Sequence, residues 1–150
     1  MTAPHRGPTL DAPDLGTALG ALRRRGMRVS AARRLTLEAL YEADEPLTAE
    51  QLAERVGASP PGDVASVYRN LETLETVGLV RHFHLGHGPG LYARAGAGTR
   101  EYLVCDACDT VHAVEPTELD GVREAVRRRF GFEASFSHYP IVGLCRACSA

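Results

Sequence analysis

No run of this chain is long and apolar enough to span a bilayer, and Met1 to Asp14, rich in proline and polar residues, lacks the apolar stretch of a secretory leader. Both absences point to a cytoplasmic protein with no membrane partner. Lysine is missing altogether. All 17 basic residues are arginine, and Arg23, Arg24, Arg25, Arg28, Arg33 and Arg34 fall in one short stretch. The formal charge of −2 argues against nucleic-acid binding by bulk electrostatics alone, so local placement of charge has to decide the matter. The chain also lacks a phosphate-cradling Gly-rich loop, a nucleophile elbow and a His-Glu-x-x-His pair, which argues against an enzyme.

Cysteine is scarce but patterned. Thiols stay reduced in the cytoplasm, so four cysteines read as metal ligands or redox groups rather than disulfides. Cys105-Asp-Ala-Cys108 and Cys145-Arg-Ala-Cys148 each place two sulfurs on one tight turn. Together they make a closed tetrahedral thiolate set for structural Zn2+. A redox role needs only one such pair and leaves the second unexplained. With no open coordination position, the ion holds the fold together. A domain of about 50 residues needs that, because its core alone is marginal.

At 150 residues the chain has room for one domain or two small ones. Leu15, Leu19 and Leu22 lie at helical spacing up to Gly26, and a second helix starts after Ser30 and carries Leu37, Leu40 and Tyr41. Thr48 and Gln51 form a capping box for a third helix, Ala49 to Val56. After the turn-rich Ala58 to Gly62, Asp63 caps a fourth helix with Val64, Val67, Leu71 and Leu74 inward, leaving Ser66, Arg69, Asn70 and Thr73 for solvent or a ligand. Leu79 to Leu85 and Leu91 to Arg94 alternate as strands around a Gly86 to Gly90 turn. Helices followed by a hairpin make a winged helix-turn-helix.

The expected class is α+β. Residues 1–12 form a flexible N-terminus, 13–94 the winged-helix DNA-binding domain, 95–100 a hinge, and 101–150 a small α/β dimerisation domain containing the zinc. In that last domain, strands are expected at Tyr102 to Cys105, Thr110 to Val114, near Phe132 to His138, and at Ile141 to Leu144. A helix is expected from Glu118 to Phe130.

The stretch Gly26 to Arg33, the segment Val64-Ala-Ser-Val-Tyr-Arg-Asn-Leu71 followed by Gly78-Leu-Val80, and the paired cysteines match in order and spacing the ferric uptake regulator family, which the chain resembles from about residue 13 to 149. Leu79 to Gly88 and Ser137 to Cys145 are most similar to its nickel uptake regulators. The resemblance implies a dimeric repressor whose metal-bound form binds operator DNA, with Tyr68 and Arg69 in the major groove. Ser66 joins them as a DNA-binding candidate, since the first half of such a helix can serve phosphate and base-edge contacts, and Arg33 joins from the arginine-rich stretch on the neighbouring element. The plain alternative is a solvated helix face.

His82 and His84, two apart on a strand, share one face about 7 Å apart at Cα and can share an ion, with His138 joining from the other domain. A metal so held would set the angle between domains. Each histidine taken singly is more naturally a surface or hydrogen-bonded residue, and His87 or water could complete the set. Three imidazoles suit nickel, zinc, copper or iron alike, so Ni2+ comes from the resemblance alone and another divalent transition metal remains open.

The chain departs from the family in three places. Arg100-Glu101-Tyr102 replaces a His-rich run, Glu45-Pro46 stands where a further histidine ligand is frequent, and Ala32 replaces a glutamine. A second metal site of the usual kind is therefore not expected, although Glu101, His112 and Glu115 could build a different one. Two competing readings stay open: a regulator that binds DNA without a sensed metal, and one that senses zinc or, through iron, peroxide.

Overall fold

In the computed structural model, residues 9–57, 64–96 and 98–150 are described; the expected turn at 58–62 and the Asp63 cap lie outside them. The chain divides into two compact units, Met1–His82 with Gly90–Ala97, and Phe83–Pro89 with Gly98–Ala150. The hairpin turn expected to close the winged helix is thus grouped with the second unit.

The first unit holds α1 (Leu15–Arg24), α2 (Ala31–Glu42), α3 (Ala49–Arg55), α4 (Val64–Val77) and a two-stranded sheet of β1 (Val80–Phe83), whose last residue passes into the second unit, and β2 (Leu91–Arg94). Side-chain caps place the helix starts. Asp14 Oδ1 accepts the Thr17 N–H at 2.7 Å, Ser30 Oγ that of Arg33 at 3.2 Å, and Thr48 and Gln51 form the expected reciprocal box. The buried face of α4 runs Val67, Leu71, Leu74, Val77, a helical stripe that packs with Leu22, Leu37 and Leu52. Leu47 and Tyr92 exchange two main-chain hydrogen bonds, at 2.9 and 2.7 Å, which fastens β2 to the segment before α3.

The second unit is built on a three-stranded sheet of order β4-β3-β5, where β3 is Glu101–Cys105, β4 Val111–Val114 and β5 Ile141–Gly143. A 3-10 turn (Pro116–Leu119) leads into α5 (Asp120–Phe130), so the α-helix begins two residues later than expected. Gly131, with φ of 62°, ends it in the left-handed conformation that glycine adopts without strain. The strand expected near Phe132 to His138 does not form; β3 takes β4 antiparallel on one side and β5 parallel on the other. That segment is held by side chains instead: Glu133 pairs with Arg127, and Phe136 lies under the Arg123 guanidinium at 5.4 Å. A short helix, α6 (Arg146–Ser149), carries the last cysteine. The buried apolar side chains of this unit are few, Phe83, Val104, Cys105, Val114 and Leu119, and α5 buries none of its own residues.

No helix among the described residues is long and apolar enough to cross a membrane.

Candidate metal centres and nucleic-acid interface

The parallel pairing of β3 and β5 brings the two cysteine motifs together. Cys105 pairs with Gly143, and parallel strands deliver their C-terminal ends to the same edge of the sheet, so Cys105 and Cys145 emerge side by side. The turn after Cys105 closes when the Asp109 N–H donates to the Cys105 carbonyl at 2.9 Å, with Asp109 itself left-handed at φ 58°. Aspartate tolerates that region better than most residues. The four sulfurs all lie within 4.8 Å of one another, and Cys108 Sγ stands 3.8 Å from Cys145 Sγ. That is the spacing of a tetrahedron with zinc–sulfur bonds of about 2.3 Å, whose corners lie about 3.8 Å apart.

The electrostatics suit a bound cation. Backbone N–H groups of Cys145, Ala107 and Cys108 point at Cys105 Sγ and hold its pKa down to about 6. The Thr110 hydroxyl and N–H lower that of Cys108. Cys148 is pushed up to about 12 by the sulfurs of Cys145, Cys108 and Cys105 around it. Four thiolates so close repel one another unless a divalent ion compensates them, which is what a structural zinc supplies. Cys105, Cys108, Cys145 and Cys148 therefore make a structural zinc site.

In the second unit, β1 ends at Phe83, whose ring stacks on Tyr102 with centroids 5.3 Å apart. The next residue, His84, donates its backbone N–H to the His138 carbonyl at 2.8 Å. The rings of His84 and His138 meet edge to face at 5.2 Å, with ligand nitrogens within 4.8 Å. Tyr139 stacks on His84 at 5.5 Å, and His138 is buried. His84 thus sits in the same unit as His138, because the pairing of main chains at 84 and 138 ties the hairpin segment to the C-terminal sheet. His82 belongs to the first unit, where its ring stacks on Tyr92 at 4.6 Å, nearly parallel. His87 is exposed in the turn.

The alternative set of Glu101, His112 and Glu115 does not come together. Glu101 is buried against Arg123, Glu115 pairs with Arg100, and His112 is exposed on β4. Both carboxylates already have a guanidinium where a metal would have to bind.

On the first unit, Tyr68 and Arg69 are exposed on α4 and Ser66 is half-buried. The Tyr68 hydroxyl reaches Glu50 at 3.5 Å, and its pKa is raised by burial and by that carboxylate. Arg23, Arg24, Arg25, Arg28 and Arg34 are exposed, whereas Arg33 is half-buried and bonded to Asn70 and to the Arg28 carbonyl. From sequence, Arg33 is a DNA-binding candidate and Asn70 only a residue open to solvent or a ligand. The signal was only that an uncharged amide follows Arg69.

Comparison with known proteins agrees with this arrangement. The model of the ferric uptake regulator family matches residues 24–138. The peroxide operon regulator of Bacillus subtilis is 27% identical over 139 residues, covering 92% of this chain and 95% of that protein. The ferric uptake regulation protein of Campylobacter jejuni is 24% identical over 131 residues, covering 85% and 83%. Among solved structures, the Helicobacter pylori ferric uptake regulator, described as having three functional metal binding sites, superposes with a TM-score of 0.67 at 17% identity, covering 91% of this chain and 95% of that one. These named relatives are iron and peroxide regulators, so the expected likeness to nickel regulators rests on its motifs alone. The chain belongs to the ferric uptake regulator family of metal-dependent transcriptional regulators, and it is not an enzyme.

Proposed function

We propose that this protein represses transcription as a homodimer on operator DNA, and that His84 and His138, joined by His82, hold the regulatory metal. The observation that carries the reading is the convergence of the His84 and His138 nitrogens within 4.8 Å, on main chains bonded to each other. His82 is two residues before His84, where strand alternation returns a side chain to the same face. Imidazole donors without thiolate or carboxylate favour a borderline transition metal over calcium or magnesium. Nickel is the first candidate on motif likeness; iron is the alternative that the named relatives favour, and zinc is a further one that the imidazole set suits equally. Arg33, Ser66, Tyr68 and Arg69 form the proposed DNA face, with the neighbouring arginines supplying charge to phosphates.

Dimerisation is supported by the second unit's exposed apolar surface, where Phe130, Phe132, Val142 and Leu144 are each more than half exposed. An apolar set of this kind on a small domain calls for a partner, and a second copy joined by a two-fold axis is the commonest solution.

Fluorescence anisotropy on the DNA upstream of the protein's own coding sequence tests the reading, using zinc-loaded protein with one added equivalent of nickel, zinc or iron(II). One metal should tighten binding at least tenfold, and His84→Ala should remove the gain. Strong binding indifferent to every metal would replace the sensor with a constitutive regulator.

A further inference from the structure

Asn70 is fixed in one orientation by an arginine from another helix. Arg33 Nε donates to Asn70 Oδ1 at 3.3 Å across 37 residues of sequence. The same guanidinium is anchored through Nη1 to the Arg28 carbonyl at 2.7 Å, and the Arg33 backbone N–H is capped by Ser30. A guanidinium has no acceptor, so the atom facing it must be the amide oxygen. The amide nitrogen of Asn70 is thereby turned away from Arg33. Among the described residues, the Arg33 contact is the one hydrogen bond made by this side chain. Asn70 is half-buried on α4, next to the exposed Arg69.

An unrestrained asparagine reads adenine with both ends of its amide, accepting from the amino group and donating to the ring nitrogen. Turning the oxygen toward Arg33 removes half of that code. We infer that Arg33 is a positioning residue that converts Asn70 into a one-sided donor on the DNA face of α4, selecting a hydrogen-bond acceptor on the duplex. Resting on the reading of α4 as the DNA-contacting helix, this assigns a specificity role that exposure alone would not reveal. The acceptor is a base edge, guanine O6 or N7, adenine N7 or thymine O4, or a phosphate oxygen. Cytosine, which presents an amino donor in the major groove, is disfavoured.

Selection from a duplex pool with a randomised core, using full-length zinc-loaded protein in the metal condition that gives tightest binding, tests the inference. Wild type should deplete cytosine at one position per half-site, without favouring adenine over guanine or thymine. Asn70→Ala should flatten that position alone, with a loss of about tenfold on the preferred duplex. If instead Asn70→Ala weakens every duplex equally and leaves the preferences unchanged, the acceptor is a phosphate. Arg33→Gln should free the amide to engage adenine with both ends and so enrich adenine at the same position, and the double variant should be as flat at that position as Asn70→Ala. Arg33→Lys, which keeps the charge but not the directed Nε–H, provides the same reading if Arg33→Gln fails to fold. An unchanged base preference in Arg33→Gln overturns the positioning role. Unchanged selection and affinity in Asn70→Ala, with Arg69→Ala still weakening binding, overturns the donor role. If Arg69→Ala and Tyr68→Ala are also silent, the reading of α4 itself fails.

Discussion

The backbone N–H of His84 donates to the backbone carbonyl of His138 at 2.8 Å. Because this bond joins main chains, it survives when either side chain is removed. His84→Ala and His138→Ala should therefore keep the second unit's fold while losing at least tenfold in affinity for the regulatory metal. Isothermal titration read beside far-ultraviolet circular dichroism checks both halves; a lost fold would mean that the rings are structural.

Stripping the zinc should unfold the second unit and spare the first. Five buried apolar side chains cannot hold about 50 residues without the ion. With a strong chelator, or in Cys145→Ser, the helical signal of α1 to α4 should persist while the amides of β3, β4 and β5 lose protection from hydrogen exchange. Retained protection in a zinc-free sample would refute the structural role.

Arg123 holds the buried carboxylate of Glu101, and also bonds to Asp120 and the Pro116 carbonyl. Arg123→Met leaves that carboxylate unpaired and should cost about 2–3 kcal/mol, at the lower end for a broken buried pair because Arg123 is partly exposed. Arg123→Met combined with Glu101→Gln should recover part of the loss. Urea denaturation of the zinc-loaded variants gives both numbers.

Leu71 is fully buried at the centre of the α4 stripe. Leu71→Ala should destabilise the first unit by about 3 kcal/mol through the cavity it leaves, and a loss below about 1 kcal/mol in denaturant unfolding would contradict the packing described.

The Asp14 carboxylate is held below its usual range by the Thr17 N–H and hydroxyl it accepts from. A lowered pKa in the folded state makes its stabilisation complete above the ordinary carboxylate range and lost as pH falls through the lowered value. Asp14→Ala should thus lower the Tm at neutral pH, and the gap to wild type should close in acid. A gap that persists once the carboxylate is protonated would assign the cap no electrostatic part.

How much of this was readable from sequence depends on the range of the interaction. Ser30 and the Thr48 and Gln51 box are contacts across three residues, so their helix starts were legible, and the cysteine spacing carries its own ligand geometry. Phe132 to His138 has strand-like composition, but whether a strand forms depends on pairing with a partner far away in sequence, and it is Ile141–Gly143 that pairs with β3. Arg33 and Asn70 stand 37 residues apart, and Glu101 and Arg123 stand 22 apart. Nothing local marks such partners, so Arg33 reads from sequence as a DNA-binding candidate and Glu101 as a possible metal ligand, while Arg123 does not stand out. Likewise the break between His82 and Phe83 falls within one continuous strand, which composition gives no reason to divide.

Gly90 faces the imidazole of His82 so closely that a Cβ there would collide with Nε2, whereas one at Gly88 would meet open space. Two glycines of the same turn therefore have opposite meanings for an evolving chain. Position 88 is free to drift, but any side chain at 90 must push His82 off the face of Tyr92. If His82 serves as a ligand, a saturation library selected for regulation would accept substitution at 88 more readily than at 90, though neither contributes a ligand atom.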